Sequence, residues 1–211
     1  MKLDTALYFI TDSTGFEKDE FLRRIRSALE GGVTIIQLRE KNRTTREYID
    51  LAEAVHAITV EFNVPLIIDD RIDVMLAADC EGVHVGAEDM PVAVARKLIG
   101  KDKILGATAK TVEAAVSAYN DGADYLGVGA IYPTTTKVKT VLTSTETLDA
   151  ITKAVPIPVN AIGGLNASNL GVLKGIDIAG VCAVSAIMKA ESPKKAAEDL
   201  KQAFEDLRRN S

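Results

Sequence analysis

Eight times along the chain a short apolar run rich in valine and isoleucine gives way to a longer stretch of helical period. This alternation limits the fold more than any other feature of the sequence. The apolar runs lie at residues 7–11, 34–39, 66–69, 82–85, 104–107, 125–129, 157–161 and 181–185. Several are apolar throughout, as parallel strands covered on both faces are. Helical segments fall between them at 20–29, 45–62, 92–98, 112–120, 145–152, 167–173 and 194–207, with a very short one near 73–78. Gly31-Gly32 stops the first helix, Thr45 opens the second with Glu47 two residues on, and Pro91 and Gly100 bracket the fourth.

Eight units in 211 residues leave about 26 residues each, in the lower range for a (β/α)8 barrel. An open doubly wound sheet is the alternative, but its first strand usually leads into a glycine-rich turn. Here that position reads Asp12-Ser13-Thr14-Gly15. The expectation is therefore an α/β chain, one single-domain (β/α)8 TIM barrel over residues 1–211, with its active site at the C-terminal ends of the strands. Apolar residues at 47% and charged residues at 26% suit a globular chain. A formal charge of −5 argues against a general nucleic-acid or anionic-membrane surface. No apolar run approaches the ~20 residues of a membrane span, and Asp4 falls where a signal peptide needs apolar residues. Cys80 and Cys182 form neither a disulfide framework nor a zinc spacing. Both are read as buried apolar residues of a cytoplasmic, reduced protein.

The C-terminal strand ends carry charge, hydroxyl or glycine almost without exception. Strand two ends Gln37-Leu38-Arg39-Glu40-Lys41, strand three Asp69-Asp70-Arg71, and strand four leads to Gly86-Ala87-Glu88-Asp89. Strand five reaches Thr108, strand six Pro133-Thr134-Thr135-Thr136-Lys137, strand seven Gly163-Gly164 and strand eight Ser185-Ala186. Arg39, Lys41 and Lys137 are cations from separate loops, and converging cations suit a polyanion such as pyrophosphate. Asp70 and Asp89, in company with phosphates, suggest Mg2+, which takes one or two carboxylates plus phosphate oxygens. A rim of ordinary salt bridges is the plain alternative. Gly163-Gly164 with Asn166 as an N-cap, facing Ser185, suggests a phosphate nest of the kind these barrels build after strands seven and eight; a tight turn alone is the other reading. His56 lies inside a helix and His84 inside a strand, where it is more often a satisfied or rim histidine than a catalyst. No Ser-His-Asp arrangement is apparent, so a reaction driven by departure of pyrophosphate fits better than strong general-base chemistry.

In order and spacing, several segments together resemble the thiamine-phosphate synthase (thiamine-phosphate pyrophosphorylase) family. They are Gln37 to Lys41, Asp70-Arg71, Gly82 to Gly86 with Glu88-Asp89-Met90, Leu126 to Lys137, and Ala161-Ile162-Gly163-Gly164. The resemblance implies a Mg2+-assisted transferase of thiamine biosynthesis that condenses a pyrimidine diphosphate with a thiazole phosphate. It implies that Arg39 and Lys41 hold the pyrophosphate, that Lys137 closes over it, and that Thr108 reaches it. Gln37 and Asp69 fall among the substrate-binding positions, Gln37 against the aminopyrimidine. Asp70 and Asp89 match the Mg2+ ligands. Thr134 and Thr136 look like hydroxyls meeting the thiazole phosphate, with Gly164 and the Val184-Ser185 backbone on its other side. The implied partners are small molecules, with no nucleic acid and no membrane; a homo-oligomer stays open.

Four positions depart from the family's usual pattern: Asp69 for Asn, Thr108 for Ser, Glu81 for Asp, and Lys139 where an acid often stands. A second carboxylate at Asp69 repels pyrophosphate unless a cation neutralises it, and the expectation is that it tightens Mg2+ binding. Two rivals remain. A thiazole tautomerase of the same barrel family needs an acid–base residue in the strand-six loop, where this chain has threonines and Lys137. A non-catalytic binder of phosphorylated ligands has no need of Lys137. The stretch from Pro133 to Thr143 suggests a long loop able to close over substrates, an ordered surface loop being the alternative.

Overall fold

The computed structural model describes residues 3–133 and 142–209. Its eight strands are β1 (Leu7–Ile10), β2 (Ile35–Leu38), β3 (Leu66–Asp69), β4 (Gly82–Val85), β5 (Ile104–Ala109), β6 (Tyr125–Gly129), β7 (Val159–Ile162) and β8 (Gly180–Ala183). They close in chain order, β1 pairing in parallel with both β2 and β8. Around them run α1 (Lys18–Glu30), α2 (Thr45–Glu61), α3 (Ile72–Ala77), α4 (Val92–Ile99), α5 (Val112–Asn120), α6 (Thr145–Ala154), α7 (Ser185–Met188) and α8 (Pro193–Arg209). The expected TIM barrel is the observed fold. No described helix is long and apolar enough to cross a membrane.

Strand alternation divides the core in two. Leu7, Phe9, Ile36, Leu38, Leu66 and Ile68 point outward into the large cluster shared with the helices. Tyr8, Ile10, Ile35, Ile67, Tyr125 and Cys182 form a separate inner cluster. Register aligns the inward residues in layers: His84 stands beside Gly106 and Gly106 beside Tyr125, while Ile10 stands beside Gln37 and Asp69 beside His84. Polar side chains such as Gln37, Asp69 and His84 enter the barrel at these inward positions.

Boundaries differ from expectation at several ends, each for a local reason. Thr44, not Thr45, caps α2: its hydroxyl accepts the Glu47 N–H and the Glu47 carboxylate accepts the Thr44 N–H at 2.9 Å, a capping box. The helix expected over 167–173 is only a 3-10 turn, Leu170–Leu173. Asn166 does not cap an α-helix; its side-chain oxygen accepts the Ser168 N–H at 2.9 Å in an Asx turn. β8 stops at Ala183, so Ser185 opens the short helix α7 instead of ending a strand.

One side chain ties three outer segments together. The Arg96 guanidinium donates to the carbonyls of Gly122 (2.8 Å), Gly100 (2.7 Å) and Lys103 (2.8 Å) and to the Asp124 carboxylate (2.6 Å). Charged donors of this kind make the stronger hydrogen bonds of a fold. Arg96→Met is expected to cost about 2 kcal/mol, seen as a fall of about 4–8 °C in the midpoint of thermal unfolding. An unchanged midpoint would show that water replaces the guanidinium without loss.

Candidate active site

Arg39 and Lys41 leave the end of β2 together, and Asp69 and Asp70 end β3 beside them. The Lys41 ammonium lies 2.8 Å from Asp69 Oδ2 and in contact with Asp70 Oδ2, and Arg39 Nε lies 3.7 Å from the same Asp69 oxygen. Asp69 is buried. That burial, with the Asp70 charge next to it, raises its pKa against the pull of Lys41 and Arg39. Burial also works against ionising Asp70, but hydrogen bonds from Lys41 and Asp89 outweigh it and lower the pKa. Desolvation and the hydrogen bond to Asp70 raise Asp89, whose Oδ2 also accepts the Gly86 N–H at 3.0 Å. Asp70 and Asp89 therefore sit together as one coupled pair, reached from different loops. Among the described residues no group of three or more His, Cys, Asp or Glu side chains is placed to hold a metal. Two carboxylates short of a full ligand set are what Mg2+ needs when phosphate oxygens complete its shell.

Beside this rim opens a cavity of about 370 Å3 at the C-terminal mouth of the barrel. Gln37, Arg39, Asp69, Thr108, Gly164, Val184 and Ser185 all line it, whereas Lys41, Asp70 and Asp89 adjoin it through the Lys41–Asp69 contact. Thr134, Thr136 and Lys137, like most of the expected closing loop, lie outside the described residues. Gly163 and Gly164 have φ of +105° and +67°, and a Cβ on Gly163 would stand 2.3 Å from the Ala130 Cβ. The pair is thus a required tight turn as well as a cavity wall.

Two residues that the sequence did not single out, and a cysteine read only as buried filler, also line the cavity. Tyr8, Lys110 and Cys182 line it with His84. Below the mouth runs a continuous polar chain: Gln37 Nε2 donates to the Tyr8 hydroxyl (3.0 Å), which bonds the Tyr125 hydroxyl (2.6 Å). Tyr125 bonds His84 Nδ1 (3.2 Å), and His84 Nε2 bonds the Thr108 hydroxyl (3.0 Å). His84 is thus no isolated rim histidine. A sequence signal existed in retrospect: Tyr8, Gln37, Asp69, His84 and Thr108 all sit at inward strand positions, where an apolar residue is the default. His56 instead pairs with Glu81 (2.8 Å), whose other oxygen accepts the Leu66 N–H (2.8 Å), a structural role at the outer wall.

The sequence matches the thiamine monophosphate synthase family over residues 7–187. The chain belongs to that family. It is 46% identical over 204 residues to the thiamine-phosphate synthase of Clostridium tetani, covering 97% of this chain and 98% of that one. It is 52% identical over 185 residues to thiamine-phosphate synthase 2 of Streptococcus pneumoniae serotype 4, covering 88% of each. A solved structure of thiamine phosphate pyrophosphorylase from Pyrococcus furiosus superposes with a TM-score of 0.88 at 38% identity, covering 97% of this chain and 98% of that one. Family membership makes the chain a transferase of thiamine biosynthesis.

Proposed function

We propose that this thiamine monophosphate synthase family member joins 4-amino-5-hydroxymethyl-2-methylpyrimidine diphosphate to a thiazole phosphate, with or without its carboxylate, and releases pyrophosphate. The observation that carries the reading is the gathering of Arg39, Lys41, Asp69, Asp70 and Asp89 beside a cavity floored by Gln37 and Thr108. Arg39 and Lys41 bind the diphosphate oxygens, and Lys110, which also lines the cavity, adds a further cation. Asp70 and Asp89 are the residues that would hold Mg2+, which when bound would supply neutralisation of leaving-group charge. Asp69 keeps the two rim cations from straying, so that their donors are already aimed before substrate arrives. This pairing with Lys41 and Arg39 is a different task from the expected tightening of Mg2+.

The carbon–oxygen bond to the pyrimidine methylene breaks as its electron pair leaves with pyrophosphate. The thiazole ring nitrogen then supplies the pair for the new carbon–nitrogen bond. That nitrogen carries no proton, so no general base is required, in keeping with the absence of a catalytic triad among the described residues. Gly164, Val184 and Ser185 hold the thiazole phosphate. Fixing both partners in this way supplies an orientation advantage of up to about 7–11 kcal/mol. A cytoplasmic setting belongs to the same proposal, in keeping with two free cysteines and no disulfide between them.

Incubation with both phosphorylated substrates and Mg2+ is expected to yield pyrophosphate and thiamine phosphate, followed by mass. Chelation of the metal is expected to lower turnover by about 10^2–10^3. Uptake of both ligands without pyrophosphate release would mark a binder, and proton exchange on the thiazole without condensation would mark a tautomerase; either outcome refutes the proposal.

A further inference from the structure

Proton counting leaves the polar chain beneath the cavity two directions, and the Gln37 amide selects between them. Tyr8 and Tyr125 each carry one hydroxyl proton, and burial raises both pKa values well above the ordinary phenol range, so both keep it. The count takes His84 as the neutral imidazole, with one ring proton on one of two nitrogens, a condition that the NMR measurement below tests directly. When the Gln37 amide donates to Tyr8, the Tyr8 proton goes to Tyr125, and the Tyr125 proton to His84 Nδ1. The imidazole proton then lies on Nε2 and goes to the Thr108 oxygen. The Thr108 hydroxyl proton is left for the cavity that Thr108 lines. Turning the Gln37 amide over reverses every bond: Thr108 then donates to His84 and shows the cavity only lone pairs.

We propose that Tyr8, Tyr125 and His84 are positioning residues, a one-way hydrogen-bonded relay that makes the Thr108 hydroxyl donate to pyrophosphate when the Gln37 amide is set for the aminopyrimidine. The inference rests on the proposed placement of the pyrimidine diphosphate between these two residues. An aminopyrimidine offers a ring-nitrogen acceptor beside an amino donor, so it distinguishes the two amide orientations. A pyrophosphate offers only acceptors, so it distinguishes the two hydroxyl directions. Each end of the substrate thereby prepares the protein for the other, and the reciprocity of linked binding requires the effect to run both ways. Gly106 makes the relay possible: it leaves between β4 and β6 the space in which His84 and Tyr125 meet, a Cβ there falling 2.3 Å from the Tyr125 hydroxyl and 2.5 Å from His84 Nδ1.

Two measurements on the full chain test this. In the complex with the pyrimidine diphosphate, nitrogen NMR of 15N-histidine-labelled protein is expected to place the His84 proton on Nε2 alone. A proton on Nδ1, alone or with Nε2, overturns the relay. Separately, the two halves of the substrate serve as distinct ligands: the aminopyrimidine alcohol is expected to tighten binding of inorganic pyrophosphate about fivefold in the wild type, and not at all in Tyr125→Phe or Tyr8→Phe. Equal tightening in all three proteins overturns it. The two phenylalanine variants back each other if one fails to fold, and the NMR measurement needs neither. Gln37→Ala and Thr108→Val locate any failure. If the first leaves alcohol binding intact and the second leaves pyrophosphate binding intact, the placement of the substrate is wrong and the relay falls with it. If both weaken their ligand while the tautomer or the linkage disagrees, the relay alone is wrong.

Discussion

Lys41→Ala is expected to lower kcat/KM by about 10^2–10^3, the size of loss found when a charged donor aimed at a leaving oxyanion is removed. The reason is local. Lys41 Nζ is the one cation in contact with both Asp69 and Asp70 among the described ion pairs, so its removal deletes a phosphate donor and also leaves two carboxylates facing an incoming polyanion. Most of the loss should appear in kcat, because the charge on the departing pyrophosphate exceeds that on the bound diphosphate ester. Lys41→Arg should recover only part of it, since a planar fork cannot occupy the point between two carboxylates that an ammonium fills. The lysine side chain is 44% exposed, so any stability cost comes from the buried Asp69 losing a partner, and a thermal unfolding scan separates that from loss of chemistry. Steady-state kinetics with both substrates decides the matter; parental kcat/KM in Lys41→Ala would remove this residue from the leaving-group site.

Gly106→Ala should have the largest effect on stability. A methyl group there would lie 2.2 Å from the Tyr125 Cζ and 2.5 Å from His84 Nδ1, and neither ring is the free end of a flexible chain, Tyr125 being fully buried. Overpacking of this kind costs about 3 kcal/mol, or about 6–12 °C in the unfolding midpoint at this chain length. Calorimetry reads it directly. A midpoint within a degree or two of the parent's would mean that the inner rings have room to retreat.

Much of this architecture could be read from residue order because the barrel strands are apolar on both faces and the helices between them are not. The same property hid the inner chain. In β1 all four residues are buried, so alternation, the signal that tells one strand face from the other, is absent, and Tyr8 could not be separated from Phe9 by pattern. Charge was easier to read than hydrogen bonding. Arg39, Lys41, Asp70 and Asp89 stand out at strand ends whatever their partners, and the geometry brings them together. The partner of Asp69 was harder, since only the fold shows that Lys41 reaches back across from β2 to β3. Helix ends depart from residue pattern where a side chain bonds the backbone: Thr44 caps α2, and Asn166 closes an Asx turn ahead of the 3-10 turn after β7.

Asp70 holds a backbone φ of +60°, a conformation that glycine adopts freely and that costs another residue about 1 kcal/mol. The chain keeps an aspartate there nonetheless, one residue past the end of β3. Position 70 is therefore a place where selection for folding alone and selection for turnover pull toward different amino acids. Laboratory evolution for heat tolerance without an activity screen should drift toward glycine at that codon and silence the protein in doing so.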